Sequence, residues 1–263
     1  MKGILDFARA RREGVPIAMV TSYDAWSARI AQAAGVDCLL VGDSVAMVVH
    51  GFPDTLHATL DMMVAHMAAV RRGSPDMFVV ADLPFLTYRR GVVAAVDAAG
   101  ALMRAGASAV KLEGVNGHAE VVAHLVASGI PVMGHLGLTP QSVHQLGGYQ
   151  VQGRSTEAAS RILREAAELE KLGAFSIVLE CVPEQLAADV TAGLSVPTIG
   201  IGSGGRVSGQ VLVLHDLLGL QAEFRPRFAR RYLEGHVQVA EALRGYVADV
   251  RGARFPAREE ILC

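Results

Sequence analysis

Seven short apolar runs punctuate the chain, each closing on polar or glycine residues: IAMVTSYD (17–24), CLLVGDS (38–44), FVVADLP (78–84), AVKLEG (109–114), PVMGHLG (131–137), SIVLECV (176–182) and PTIGIGSG (197–204). Each is of strand length, and most are continuously apolar rather than alternating, the pattern of parallel strands buried on both faces. Between them lie helical patterns: AWSARIAQAAG, LDMMVAHMAAVRRG, VVAAVDAAGALMRAG, AEVVAHLVASG, STEAASRILREAAELEKLG and PEQLAADVTAG. Nearly all finish at a glycine, the usual residue just past a helix end. Strand–helix alternation without a break in composition predicts a parallel sheet in one domain spanning residues 1–263.

The eighth unit is ambiguous. GQVLVLHDLLG (209–219) could be the last strand, but Ser208 can cap a helix there, Gly219 can end it, and Val211, Leu214 and Leu218 share a helical face. On that reading LQAEF (220–224) is strand eight and FARRYLEGHVQVAEALRGYVADV its helix, with residues 3–12 as an extra helix in front. Eight βα units predict an α/β fold, a (β/α)₈ barrel, whose usual size is about 250 residues. A doubly wound open sheet is the alternative, but it normally carries a glycine-rich fingerprint after its first strand, and TSYDAW is not one.

Composition narrows the function without naming it. The 263 residues are 51% hydrophobic and 19% charged, with a formal charge of −2. No basic block offers an electrostatic footprint for nucleic acid. The N-terminal MKGILDFARARREG has amphipathic polarity and lacks the apolar core of a signal peptide. No apolar run reaches the roughly 18 residues of a membrane span. Cys38, Cys181 and Cys263 are odd in number and widely spaced, which argues against a disulfide framework or a zinc site. The expectation is a soluble cytoplasmic protein that takes small-molecule ligands, with no nucleic acid and no membrane partner.

Chemistry in a barrel gathers at the C-terminal strand ends. Read in order, those ends carry Asp43, Asp82, Lys111 with Glu113, His135 and Glu180. Strand side chains alternate, so Lys111 and Glu113 share a face. Asp43, Asp82 and Glu113 come from consecutive strands about 4.8 Å apart, which starts the three carboxylates within roughly 10 Å of one another. Anions that close raise one another's pKa unless a cation joins them, and oxygen-only ligands with open positions favour Mg²⁺. Each acid taken singly could equally cap a helix or pair with an arginine.

Lys111 has two possible roles: an ammonium holding a substrate oxygen, or an amine forming a Schiff base. Glu113 on the same face favours the ammonium. Glu180, after the apolar SIVL across the barrel from the acids, is a candidate general base. His135 could donate to an oxyanion or bond a loop carbonyl. GIGSGG (200–205) resembles a phosphate-cradling loop but matches neither the dinucleotide nor the Walker pattern. His50, His57 and His66 lack ligand spacing, and strand parity sends Cys181 toward the helix layer.

Taken together, VGDSVAMVVHG, ADLPF, AVKLEG, GHLGLTPQSVHQLGGYQVQGR, LECVP, IGIGSG and GQVLVLHDLLG resemble the ketopantoate hydroxymethyltransferase family, in the same order from about residue 15 to 257. Departures such as TSYD for TAYD and GIGSGG for GIGAG remove none of the residues above. The resemblance implies a (β/α)₈ barrel of the phosphoenolpyruvate/pyruvate type, Mg²⁺, a role in pantothenate biosynthesis and a homodecamer. By motif it implies Asp43, Asp82 and Glu113 at the metal, Asp43, Ser44, Asp82, Lys111 and His135 at the 2-oxoacid, and Glu180 as proton acceptor. It further implies that 3-methyl-2-oxobutanoate loses its C3 proton to Glu180 and attacks the methylene carbon of the co-substrate 5,10-methylenetetrahydrofolate. Rival readings are a Mg²⁺-dependent C–C lyase of the same superfamily, a Schiff-base aldolase and a non-catalytic barrel.

Overall fold

The computed structural model describes residues 3–222 and 226–262. Strands β1 (Ile17–Thr21), β2 (Cys38–Val41), β3 (Phe78–Asp82), β4 (Ala109–Glu113), β5 (Val132–Gly137), β6 (Ser176–Glu180), β7 (Thr198–Ile201) and β8 (Gly209–Leu212) form one closed parallel barrel in sequence order. The helices are α1 (Ile4–Glu13), α2 (Ala25–Ala33), α3 (Val45–Val48), α4 (Leu60–Gly73), α5 (Val92–Arg104), α6 (Ala119–Ala127), α7 (Val143–Leu146), α8 (Thr156–Lys171), α9 (Glu184–Gly193), α10 (Leu214–Leu217) and α11 (Gly235–Arg251). Several of the long helices start where the sequence offers a cap. Asp24, Thr59 and Ser155 side chains accept from Ser27, Met62 and Ala158 N–H groups at 2.7, 3.2 and 3.2 Å. Among the described residues no helix is long and apolar enough to cross a membrane.

The chain forms two compact units, residues 1–213 and 214–263. The first contains the whole barrel. Its seven anticipated strands and the extra N-terminal helix stand where the apolar pattern predicts them. The eighth does not. Residues 209–212 are β8, pairing Ile17 with Gly209 on one side and Ile199 with Gly209 on the other. Ser208 is therefore not a helix cap: its N–H donates to the Thr198 carbonyl, and its own carbonyl accepts from Ile17 N–H, both as sheet bonds. The shared helical spacing of Val211, Leu214 and Leu218 is outweighed by the closure of the ladder, since an open barrel would leave β1 and β7 with unpaired edges.

In the second unit, residues 220–222 of the expected strand LQAEF form none, and 223 and 224 lie outside the described residues. The helix expected from residue 228 begins only at Gly235. Tyr232, Gly235 and His236 N–H groups instead donate to the Leu217, Leu218 and Gly219 carbonyls at 2.8, 2.9 and 2.9 Å. The chain before α11 thus satisfies the end of α10 rather than lengthening α11.

Helix α1 closes the barrel bottom. Phe7, fully buried, packs against Phe78 and Phe175 with ring centroids 5.2 and 5.1 Å apart, in tilted and edge-on geometries. Phe78 opens β3 and Phe175 immediately precedes β6, so the cluster lies at the strands' N-terminal ends. Arg11 ties the helix down through the Thr191 and Leu194 carbonyls at 2.6 and 3.2 Å. Phe7→Ala should lower unfolding free energy by about 3–5 kcal/mol in urea titration; a loss under about 1 kcal/mol would show that α1 does not seal the core.

Candidate active site

Each inner strand face changes character along its length. Val80, Ala109, Met133 and Val178 belong to the apolar core. Two residues further along the same faces stand Asp82, Lys111, His135 and Glu180, with Glu113 two beyond Lys111. Period-two alternation thus carries one face from packing to chemistry. Asp43 is delivered differently, because β2 ends at Val41. It lies in the turn before α3, where its N–H donates to Asp82 Oδ2 at 3.1 Å. Hydrogen bonding rather than strand rigidity places it.

The structure brings the anticipated residues together. Lys111 Nζ lies 3.0 Å from Asp82 Oδ1 and 3.3 Å from His135 Nδ1. His135 Nδ1 is 3.6 Å from Glu113 Oε1, and its Nε2 is 3.2 Å from Glu180 Oε2. Glu180 stands on β6, four strands from β2 in the closed barrel, and one imidazole, His135, links it to Glu113. Asp43, Asp82, Lys111, Glu113 and His135 are at most 5% exposed, whereas the Glu180 side chain is 16% exposed and stands at the open edge. Ser44 Oγ pairs with the Tyr23 hydroxyl at 2.8 Å. Cys181 lies past the end of β6 with φ 47° and is half-buried, so strand alternation does not set its direction.

Burial in acid company shapes the ionisation. Desolvation, then Asp82 and Glu113, holds the Asp43 carboxyl well above its usual range. Burial disfavours the Lys111 ammonium, but Asp82, Glu113 and Asp43 outweigh it and raise its pKa. That charge state suits the ammonium role and not a Schiff base. For His135, burial and Lys111 act against the charged ring, yet bonds to Glu113 and Glu180 hold it up at about 9.

A divalent cation fits this donor set. Asp82 Oδ1 is buried with Lys111 Nζ at 3.0 Å, Glu113 Oε1 is buried 3.6 Å from His135 Nδ1, and one ammonium and one imidazolium face the four carboxylates of Asp43, Asp82, Glu113 and Glu180. Among the described residues no group of three or more His, Cys, Asp or Glu closes around a point. Such an ion would keep few protein ligands and open positions, as Mg²⁺ does.

Sequence reasoning missed Gln141, Tyr88 and Tyr23. Gln141 lies six residues past His135 and four past the end of β5, in a turn that no charged motif marks. It also did not anticipate that His50 Nε2 meets His66 Nε2 at 2.9 Å, with His66 Nδ1 on the Tyr23 carbonyl at 2.5 Å. His57 stands apart, paired with Asp54 at 2.8 Å. In GIGSGG the chain supplies its own anion: Gly205 N–H donates to Glu184 Oε1 at 3.3 Å.

Residues 2–258 match the family profile described as ketopantoate hydroxymethyltransferase. The chain belongs to that family. It is 52% identical over 260 residues to a 3-methyl-2-oxobutanoate hydroxymethyltransferase of Bdellovibrio bacteriovorus, covering 99% of each chain. With the enzyme of that name from Thermotoga neapolitana the identity is 53% over 245 residues, covering 93% of this chain and 91% of the other. Among solved structures, a phosphonopyruvate hydrolase complexed with oxalate and Mg²⁺ superposes with a TM-score of 0.66 at 13% identity, covering 100% of this chain and 94% of that one. A 2,3-dimethylmalate lyase of the PEP mutase/isocitrate lyase superfamily gives 0.59 at 17% identity, covering 100% and 92%. These structures share the barrel fold with the ketopantoate hydroxymethyltransferase family.

If Lys111 works as an ammonium, borohydride added with a 2-oxoacid should leave its peptide unmodified by mass spectrometry. A reduced imine on Lys111 would overturn that assignment.

Proposed function

We propose that the chain transfers a hydroxymethyl group to 3-methyl-2-oxobutanoate. The one-carbon donor is 5,10-methylenetetrahydrofolate, water supplies the hydroxyl oxygen, and ketopantoate and tetrahydrofolate are released in the first step of pantothenate biosynthesis. The observation that supports this most directly is Glu180, a partly exposed carboxylate 3.2 Å from His135 beside the buried acids. A 2-oxoacid held at its polar end by that set would present C3 to Glu180.

In this reading Asp43, Asp82 and Glu113 hold Mg²⁺, and Ser44, Asp43, Asp82, Lys111 and His135 face the oxoacid. The bound ion would supply Lewis-acid stabilisation of charge on the 2-oxo oxygen, worth several kcal/mol. Glu180 takes the C3 proton. Lys111 offers a fixed positive charge to the developing enolate, in a site where burial strengthens that attraction. His135 holds the Glu180 carboxylate in place through Nε2. The enolate carbon then bonds to the donor's methylene carbon as one of its two bonds to nitrogen breaks. Water replaces the second nitrogen to leave the hydroxyl, and the C3 proton and the remaining water proton go to the two nitrogens of tetrahydrofolate. The phosphonopyruvate hydrolase complex with oxalate and Mg²⁺ supports the pairing of this ion with a small carboxylate ligand in this fold. A homodecamer belongs to the same reading. Trp26 and Ile30, one turn apart on α2 and 63% and 51% exposed, support self-association.

Solvent deuterium exchange at C3 of 3-methyl-2-oxobutanoate, followed by NMR, tests the mechanism. Exchange should require Mg²⁺, stop with EDTA, and fall at least about 100-fold in Glu180→Gln while oxoacid binding persists. Undiminished exchange in that variant would remove Glu180 as the base, and ketopantoate formed without added folate would overturn the donor. The raised Asp43 pKa gives a pH dependence with a definite sign. Its proton must leave before a cation takes its place, so Mg²⁺ affinity should fall as pH is lowered and binding should release protons. Calorimetry in buffers of different ionisation enthalpy reads this; buffer-independent, pH-independent binding would contradict it.

A further inference from the structure

Each of the three buried carboxylates has one oxygen already committed. Asp82 Oδ2 accepts the Asp43 N–H at 3.1 Å, Asp43 Oδ2 accepts Gln141 Nε2–H at 2.8 Å, and Glu113 Oε2 accepts the Gln141 backbone N–H at 3.0 Å. Of their second oxygens, Asp82 Oδ1 meets Lys111 Nζ at 3.0 Å, and Glu113 Oε1 is buried 3.6 Å from His135 Nδ1. Two of the three anchors therefore come from one residue. Gln141 lies in the turn Pro140–Ser142 past β5, on none of the strands that bring the acids, and is 6% exposed.

The Gln141 amide is fully used, and in only one orientation. Its two Nε2 hydrogens go to Asp43 Oδ2 and to the Leu83 carbonyl at 3.0 Å. Its Oε1 accepts the Tyr88 hydroxyl at 2.9 Å. That hydroxyl accepts the Glu113 N–H at 3.3 Å, and of the two acceptors its proton can reach, Gln141 Oε1 at 2.9 Å is nearer than the Glu113 carbonyl at 3.4 Å. Turned over, the amide would set its oxygen against two acceptors. Tyr88, 1% exposed, thus reads the backbone of β4 and sets the direction of the group that holds Asp43.

We infer that Gln141 and Tyr88 are positioning residues for a divalent-cation site. Gln141 ties the Asp43 and Glu113 carboxylates into one frame that leaves their second oxygens to the ion, and Tyr88 locks the amide. The inference rests on the reading of Asp43, Asp82 and Glu113 as the Mg²⁺ site proposed above. It adds two residues that touch neither ion nor substrate.

Mn²⁺ titration followed by electron paramagnetic resonance, on the full chain without substrate, tests it through binding alone. Gln141→Met keeps length and removes the donor; Tyr88→Phe keeps the ring and removes the lock. Both should weaken Mn²⁺ binding by about 10–100-fold, the range for partners that orient metal ligands. In turnover, the Mg²⁺ concentration for half-activation should rise by a similar factor, with kcat largely recovered at saturating Mg²⁺. Thermal unfolding of the metal-free proteins separates orientation from stability. Variants that lose stability but bind Mn²⁺ as tightly as the wild type would overturn the inference. Should Gln141→Met fail to fold, Tyr88→Phe decides. If the wild-type chain does not bind Mn²⁺, the metal reading of the three acids fails, and this inference with it.

Discussion

Mutual repulsion among Asp43, Asp82 and Glu113, three buried carboxylates with Lys111 among them, is the constraint to which the mouth of the barrel answers. Left alone, such a group would protonate, spread apart or admit water. Here each carboxylate is held by at least one well-directed N–H, and the ammonium of Lys111 lies 3.0 Å from Asp82. Burial first, and then the charges of Asp82 and Glu113, keep the Asp43 pKa raised in spite of Lys111 and Gln141. A site in that condition is poised for a cation, and the same anchoring that tolerates the repulsion leaves oxygens free to receive one.

The barrel makes this crowding possible by separating its two ends. At the bottom, Phe7, Phe78 and Phe175 seal the strand starts with a dry aromatic cluster. At the top, the same inward faces end in charge. Stability is thereby concentrated away from the chemistry, so the ionisable end need not contribute to holding the fold. Gly137 marks the join between the site strands: its φ of 94° and its close approach to the Glu180 carbonyl leave no room for a Cβ. That approach lets Leu138 N–H bond the Glu180 carbonyl at 2.8 Å, which fixes the backbone behind the proposed base.

What the sequence made legible follows from which signals are local. Seven strands, their helices, and the acids, lysine and histidine at the strand ends could be read because apolar runs and period-two alternation are local properties. The eighth strand was hidden because Ser208 and Gly219 mimic helix boundaries, and only the closing partners β1 and β7 decide against them. Gln141 and Tyr88 were hidden for a related reason. Neither sits at a strand end or in a charged motif, and their partners are 98 and 53 positions apart along the chain. The bridge from Glu180 to Glu113 was hidden because a linear list of strand ends does not show that His135 reaches both.

The turn after β5 inverts the usual division of labour in this architecture. Loops at a barrel mouth are ordinarily where length and composition drift while the strands persist. Residues 138–140 are instead a spacer of set length between β5 and a residue that must reach β4 and the turns just past β2 and β3 at once. Inserting or deleting a single residue there would leave every strand pairing intact and still dismantle the frame around the acids. This connection is therefore constrained in length as a core segment is constrained in volume, and room for change at the mouth lies in its neighbours.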